Sequence, residues 1–386
     1  MKMKLFERKI SCTAGLLMAL AASVMLASCE EESPPEQEKT VFMVGGDISM
    51  LKKINDYGGT YRVNGIEKDA LEIFRDSGYN YARIRLFHTP DMQGPTVQDL
   101  DYVLDLALRV RQAGLKLLLD FHYSDTWADP SKQYKPAAWE GLSFQVLRDS
   151  IYAYTLRVMQ TFGERGITPD MVQTGNEINN GMLWPDGKLD GTTPYEKAEK
   201  WDRFTDLVKA AIRGIRESPG GEEIPVMIHI AGGGNKEMTQ WFFDNLLSRG
   251  VDFEVIGQSY YPWWHGTLDM LEANIEFMTT AYRKEIVIVE TAYQWKGTYP
   301  AGTDYSYYRP YPLTPGGQHA FLHTLYEMCG NHASVTGLFY WYPECIRVPE
   351  EAGLLYFDRS LFTEEGEALP GIGAWQPAKE RGKLQE

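Results

Sequence analysis

A single (β/α)8 barrel is the fold class the sequence predicts. Eight short apolar runs alternate with amphipathic stretches from Val41 onward, and several of those runs are apolar almost without interruption. The chain, at 386 residues, is long enough for one such barrel with extended loops. With 44% hydrophobic and 24% charged residues it can bury a sizeable core and lies far from the composition of disordered chains. A doubly wound open sheet is the competing arrangement of the same pattern.

The strand candidates, in order, are Phe42–Ile48, Tyr81–Leu86, Leu115–Phe121, Met171–Asn176, Pro225–Ala231, Phe253–Tyr260, Ile286–Glu290 and Gly337–Trp341. Leu117-Leu118-Leu119 and Ile286-Val287-Ile288-Val289 read as strands buried on both faces, the signature of a parallel sheet covered by helices. Between them, Asp99–Gln112 places Leu100, Val103, Leu104, Ala107 and Leu108 at helical spacing and stops at Gly114. Trp201–Arg216 does the same with Phe204, Leu207, Val208, Ala211, Ile212 and Ile215 and stops before Pro219. No repeat or linker divides residues 41–376, which are expected to form one domain; 377–386 is a polar tail.

The first forty residues read differently. Lys2, Lys4, Arg8 and Lys9 precede an apolar run, Ala14 to Ala27, that ends in Leu26-Ala27-Ser28-Cys29. That is a basic start, an apolar stretch too short for a comfortable membrane span, and a small-residue cleavage site. The ending resembles the lipobox of bacterial lipoproteins, which implies that residues 1–28 are removed and that Cys29 carries lipid. Losing Lys2, Lys4, Arg8, Lys9 and Glu7 takes the net charge from -15 to -18. Residues 29–40 are then the lipidated Cys and an acidic, Pro-containing tether. An acidic run directly after the lipidated Cys resembles the export signal of some surface lipoproteins, so the expected location is the bacterial cell envelope, lipid-anchored on the outer-membrane surface. The lipid is the only expected link to a membrane, and the chain is expected to be a monomer. So acidic a chain is not expected to bind nucleic acid. Four Cys exclude a disulfide scaffold; Cys329 and Cys345 in the mature body either pair or remain buried thiols.

In a barrel of this kind, reactive side chains belong at the C-terminal ends of the strands. The second run carries Arg83 and Arg85, of which one is expected to face inward. The third ends in Asp120-Phe121-His122-Tyr123-Ser124-Asp125, the fourth in Gly175-Asn176-Glu177 and the sixth in Gln258-Ser259-Tyr260-Tyr261-Pro262-Trp263-Trp264. The seventh ends in Glu290 and the eighth in Tyr340-Trp341-Tyr342. Two carboxylates from facing strands suit glycoside hydrolysis: one protonates the leaving oxygen and the other attacks the anomeric carbon. Trp127, Trp139, Trp184, Trp263, Trp264, Trp295 and Trp341 fall at strand ends or in the loops that follow, which suits stacking on sugar rings. Asp120, His122, His229 and His265 could be gathered into a metal site, but the usual pair of His on one strand end is absent, and none is expected. Gly232-Gly233-Gly234 lacks the partners of a phosphate loop and reads as a tight turn. No Gly-x-Ser-x-Gly elbow is present.

These stretches resemble the clan A retaining glycoside hydrolases and, within them, glycoside hydrolase family 53, the endo-β-1,4-galactanases. The resemblance rests on Gly46-Asp47-Ile48-Ser49, Arg83-Ile84-Arg85-Leu86, Gly175-Asn176-Glu177-Ile178 and Val289-Glu290-Thr291-Ala292-Tyr293. Most specific is His122-Tyr123-Ser124-Asp125-Thr126-Trp127-Ala128-Asp129-Pro130. It implies Glu177 as general acid/base, Glu290 as nucleophile, Asn176 on the sugar 2-hydroxyl and Arg83 or Arg85 holding Glu290 ionised. Asp47, His122, Asp125, Trp127, Tyr260, Trp264 and Trp341 would line the cleft. The implied substrates are β-1,4-galactan and galacto-oligosaccharides, and no cofactor is required. One departure stands out. The family commonly has Trp-Glu-Pro after the eighth strand, where this chain has Trp341-Tyr342-Pro343-Glu344, which puts in question any structural calcium that some members hold there. The competing functions are a non-catalytic surface glycan-binding lipoprotein and another clan A endo-glycosidase acting on mannan, xylan or cellulose.

Overall fold

The computed structural model describes residues 41–190, 198–298, 311–349, 352–354 and 356–375. The expected signal peptide, Cys29 with its tether, and the tail from 377 lie outside the described residues. Eight parallel strands close into a barrel: β1 (Met43–Asp47), β2 (Tyr81–Leu86), β3 (Lys116–Phe121), β4 (Met171–Thr174), β5 (Val226–Ala231), β6 (Val255–Ser259), β7 (Glu285–Thr291) and β8 (Val335–Trp341). Each strand pairs with its sequence neighbours, and β8 pairs with β1 to close the ring. Closure excludes the doubly wound alternative. The strands match the eight apolar runs to within a few residues at each end. β4 stops at Thr174, because Gly175 (φ +86°) turns the chain before Asn176 and Glu177. Two short hairpins, Tyr61–Val63 with Ile66–Lys68 and Gly181–Met182 with Gly187–Lys188, carried no expectation.

Alternation along the strands explains the uninterrupted apolar runs. Leu117, Leu119, Ile228, Ile230, Ile286 and Ile288 belong to the large cluster beneath the helices. Leu118, Met227, Val287 and Val289 belong to a second cluster inside the barrel, with Met43, Tyr81, Met171, Val255 and Phe339. Both faces of each strand are dry, so both carry hydrocarbon. Two glycines make room inside: a Cβ on Gly45 would lie 2.3 Å from the Phe339 ring, and one on Gly257 would lie 2.7 Å from the Met227 sulfur. This inner layer is the barrel's floor, and a layer of buried polar side chains lies directly above it.

The helices follow their sequence signals. The helix Leu100–Gln112 is capped by the Asp99 carboxylate, which accepts from the Tyr102 N–H, and ends just before Gly114 (φ +81°). The helix Ala198–Arg216 includes the expected Trp201–Arg216 and ends as expected. Cys329 and Cys345 are separate buried thiols, not a disulfide.

Candidate active site

The polar layer starts where the inner apolar cluster stops. Asp47, Arg83, Arg85, Asp120, Gln173 and His229 are all buried at the C-terminal ends of β1 to β5. Both arginines face inward, which corrects the expectation of a single inward one: residues two apart on a strand share a face. Above them opens a cavity of about 400 Å³, lined among others by Asp47, Arg83, Arg85, His122, Asn176, Glu177, Tyr261 and Glu290. Trp127, Trp264, Trp341 and Tyr356 form its aromatic walls, and Trp264 is 65% exposed. Volume and lining suit a small-molecule or sugar ligand.

Arg83 organises the floor. Its Nη1 donates to Glu290 Oε1 at 2.7 Å and to Asp47 Oδ2 at 2.9 Å. Nη2 donates to Asp120 Oδ2 and to Asn176 Oδ1, each at 2.8 Å, and Nε donates to Gln173 Oε1 at 3.2 Å. All five guanidinium N–H groups therefore find acceptors on five different side chains. Arg85 donates to Asp47 Oδ1 at 3.2 Å and lies 4.1 Å from the centre of the Trp127 ring, which holds that ring against the cavity. Asp47 thus bridges the two arginines.

Glu290 reaches this network through an irregularity. Val287 and Val289 face into the barrel, so strict alternation would turn Glu290 outward with Ile286 and Ile288. The register against β6 shifts by one residue between Gln258 and Ser259, and that against β8 shifts between Ile288 and Thr291. This bulge re-aims the carboxylate into the mouth. There Oε2 accepts from the Tyr261 hydroxyl at 2.9 Å. Glu177 arrives by a different device. It sits in the left-handed region (φ +47°), starting the short turn Ile178–Asn180, and its Oε1 accepts from Ser259 Oγ at 2.7 Å. Gln133 Nε2 donates to the Asn176 and Glu177 carbonyls and ties this strained turn to the loop after β3.

The two carboxyls have unequal surroundings. Burial, then the nearby Glu290 charge, pushes Glu177 up to about 8, against the opposing Ser259 hydrogen bond. Burial raises Glu290 as well, but the Arg83 guanidinium and the Tyr261 hydroxyl act on it in the opposite direction. A cation at 2.7 Å favours charge on Glu290, and Glu177 has no such partner. A shared proton therefore resides on Glu177. This is a site with one poised acid and one poised carboxylate.

Two expected lining residues do not line the cavity. Tyr260 is fully buried, with its hydroxyl donating to the Gly266 carbonyl and its ring stacked on Phe321; the next residue, Tyr261, occupies the cavity wall instead. Val255, Gly257 and Ser259 face into the barrel, so the alternation of β6 carried one step past its end selects Tyr261 and turns Tyr260 outward under the helices, against what the family resemblance implied. Asp125 accepts from the Thr89 and Ala137 backbone N–H groups and ties two loops together outside the cavity. Of the seven loop tryptophans, three line the cavity: Trp127, Trp264 and Trp341. Trp184 and Trp295 donate their indole N–H groups to the Asn180 and Phe357 carbonyls, packing loops down. His122 accepts the Ala128 N–H at Nδ1, so its Nε2 donates to Asp120, 3.1 Å away. Among the described residues, no group of three or more His, Cys, Asp or Glu is placed to hold a metal ion. Gln173, Ser259, Tyr261 and Arg359 belong to the site's surroundings without having been singled out as its components, and His229, weighed only as a metal ligand, belongs there as a hydrogen-bonding group. Polar residues inside otherwise apolar strands, such as Ile228-His229-Ile230, were the signal.

Glu344, the displaced acid of the loop after β8, is fully buried. Its Oε1 accepts from the Met50 N–H at 2.9 Å, and its Oε2 has no partner among the described residues. Burial, then the Asp47 charge, pushes this carboxyl up to about 8. The folded chain therefore holds a proton that the unfolded chain releases at lower pH. The stability this contributes is complete below the ordinary carboxylate range and is lost as pH rises towards about 8. Glu344→Gln, neutral and of the same shape, is expected to be more stable than the parent at pH 8 by on the order of 2 kcal/mol, with the gap closing near pH 5. Thermal unfolding across that range checks it; parallel curves for the two proteins would contradict it.

A closed parallel barrel with two unequal carboxyls at its C-terminal mouth defines the class: a barrel glycosidase site. Residues 43–375 match the model of glycosyl hydrolase family 53. The chain is 34% identical over 338 residues to an arabinogalactan endo-β-1,4-galactanase of Humicola insolens, covering 86% of this chain and 98% of that one. It is 33% identical over 382 residues to the arabinogalactan endo-β-1,4-galactanase of Cellvibrio japonicus, covering 95% and 96%. Among solved structures, the family 53 catalytic domain of Ignisphaera aggregans superposes with a TM-score of 0.79 at 34% identity, covering 89% of this chain and 98% of that one. The chain belongs to glycosyl hydrolase family 53 and is a glycoside hydrolase.

Proposed function

We propose that this protein is an endo-hydrolase of β-1,4-galactan, including the galactan of arabinogalactan and pectin side chains, and that it acts by double displacement. The observation that carries the reading is the unequal pair at the cavity, with Glu290 on the Arg83 guanidinium and Glu177 on a hydroxyl. Glu290 attacks the anomeric carbon while Glu177 protonates the departing oxygen. Glu177 then takes a proton from water, which releases the sugar from Glu290 with its β configuration retained. In this reading Asn176 bonds the sugar 2-hydroxyl, and its bonds to Arg83 and to the Ala128 carbonyl, which fix the amide at the cavity, support that role. The galactanases of Humicola insolens and Cellvibrio japonicus support the choice of galactan over mannan, xylan or cellulose.

A panel of galactan, arabinogalactan, mannan, xylan and cellulose tests the substrate. Reducing ends are expected to appear fastest from galactan. Release from another glycan alone would move the enzyme to a different specificity, and release from none would leave a binding protein. The galactan rate is expected to fall on the alkaline side as Glu177, at about 8, loses its proton.

The reading extends to location. The Leu26-Ala27-Ser28-Cys29 sequence and the acidic run after it support a lipid anchor at Cys29 on the outer-membrane surface. Labelled palmitate is expected to enter the parent chain and not Cys29→Ser, and protease added to intact cells is expected to remove the parent. Equal labelling of both, or full protection in intact cells, would refute the anchor or its outward face respectively.

A further inference from the structure

Behind Glu177 runs a line of hydrogen bonds that the acid–base reading does not use. Ser259 Oγ donates to Glu177 Oε1 at 2.7 Å and lies 2.8 Å from His229 Nε2. Ser259 and His229 are fully buried, on the adjacent strands β6 and β5. The direction of the protons along the line depends on the other ring nitrogen. His229 Nδ1 faces the Glu177 backbone N–H at 3.4 Å, and the Gln173 amide nitrogen, whose two N–H groups also serve Asp120 Oδ1 and the Gly175 carbonyl, stands 3.0 Å away. The Gln173 amide is oriented independently, since its Oε1 takes the Arg83 Nε–H and its Nε2 donates to Asp120 Oδ1 at 2.6 Å. One acceptor also stands near Nδ1, Asn176 Oδ1 at 3.1 Å, but that oxygen already takes the Arg83 Nη2–H at 2.8 Å. A lone pair on Nδ1 gives the Glu177 N–H its acceptor and leaves the ring proton on Nε2. Nε2–H then donates to Ser259 Oγ, and the Ser259 hydroxyl has only Glu177 Oε1 left to bond.

We propose that His229 and Ser259 are positioning residues that hold Glu177 Oε1 as an acceptor, so that the proton this carboxyl delivers sits on Oε2, the oxygen left for the cavity. The proposal rests on the acid/base reading of Glu177 given above. In the first half-reaction, Glu290 forms a bond to the anomeric carbon, the bond from that carbon to the leaving oxygen breaks, and the pair in it takes the Oε2 proton. The carboxylate left behind keeps the Ser259 hydroxyl on Oε1. In the second, water loses a proton to Oε2 as its oxygen bonds the anomeric carbon and Glu290 departs, which restores the start. His229 neither gives nor gains a proton. The charged and titratable groups facing it are Arg83, Asp120, His122 and His265, and burial with the Arg83 charge keeps its ring neutral. Those facing Glu177 are Glu290, Asp129 and Arg83.

Two measurements test this. Long-range proton–nitrogen correlation spectra of histidine-labelled protein at neutral pH read the tautomer directly. A neutral His229 ring protonated at Nε2 is expected, with its signals identified by their displacement in Ser259→Ala. A ring protonated at Nδ1, or at both nitrogens, would overturn the proposal. Ser259→Ala itself removes a donor from the charged form of Glu177. Its kcat/KM on galactan is expected to fall about 10-fold and its alkaline limb to move up by about one pH unit. On an aryl β-1,4-galactobioside with a strongly acidic phenol, whose departure needs no proton, it is expected to match the parent. Equal losses on both substrates with an unmoved limb would mean that Ser259 only packs, and the proposal fails. Glu177→Ala separates the two readings. If its kcat/KM falls on galactan but not on the aryl substrate while Ser259→Ala is silent, only the positioning role is lost. If it hydrolyses galactan at the parent's rate, the acid/base reading itself is wrong.

Discussion

Glu290→Gln is expected to lose galactan turnover by at least about 10⁴-fold while still binding galacto-oligosaccharides. The amide keeps the shape of the carboxylate: its oxygen still accepts from Arg83, and its NH2 group takes the place of the oxygen that accepted from Tyr261, whose hydroxyl turns to accept instead. What it lacks is the electron pair that forms the glycosyl-enzyme. Glu177→Gln is expected to behave differently. It should be severely impaired on galactan, where the leaving oxygen needs a proton, and much less so in forming the intermediate from an aryl glycoside with an acidic phenol. Calorimetric titration with galacto-oligosaccharide, alongside turnover on both substrates, checks the pair. Near-parental turnover in Glu290→Gln would remove the nucleophile assignment, whatever the barrel looks like.

The second large effect is expected at Arg83. This guanidinium is fully buried and holds Glu290, Asp47, Asp120, Asn176 and Gln173 at once. Arg83→Met removes the cation and leaves three buried carboxylates facing one another. Breaking a buried pair from one side costs about 3–5 kcal/mol, so a marked fall in Tm is expected together with loss of activity. Arg83→Lys keeps the charge but has three donors for five acceptors and no planar fork. It is expected to recover much of the Tm but little of the turnover, because Glu290 and Asn176 are no longer fixed in the same frame. If Arg83→Lys recovered both equally, charge alone would matter and the geometric argument would fail.

The barrel was legible because its strands are dry on both faces and its loops end in unusual residues. Leu117-Leu118-Leu119 could hardly be anything but a buried strand, and Gly175-Asn176-Glu177 announced a strand end carrying chemistry. What sequence could not show was local irregularity. Glu290 faces the mouth only because a bulge resets β7 after two inward valines, and no periodicity predicts a bulge. Tyr261 rather than Tyr260 meets Glu290 because Val255, Gly257 and Ser259 set the inward phase of β6, and reading that phase one residue off exchanges inside for outside. The inward pair Arg83 and Arg85, by contrast, was fully readable, since positions two apart share a face. Gln173, His229 and Ser259 were visible as polar residues in apolar runs, but their roles depend on contacts between strands far apart in sequence. Glu344 shows the same limit: its displacement past Pro343 was plain, but its burial against the Met50 N–H required the fold.

Retention of configuration requires Glu177 and Glu290 to act on opposite sides of one anomeric carbon in two successive displacements. Proton NMR of the first sugars released from galactan, recorded before mutarotation, tests that most directly. The β-anomer is predicted to appear first and the α-anomer to grow in only as the products equilibrate. An α-anomer at the earliest times would mean a single inverting attack by water, and the roles assigned to both glutamates would be wrong.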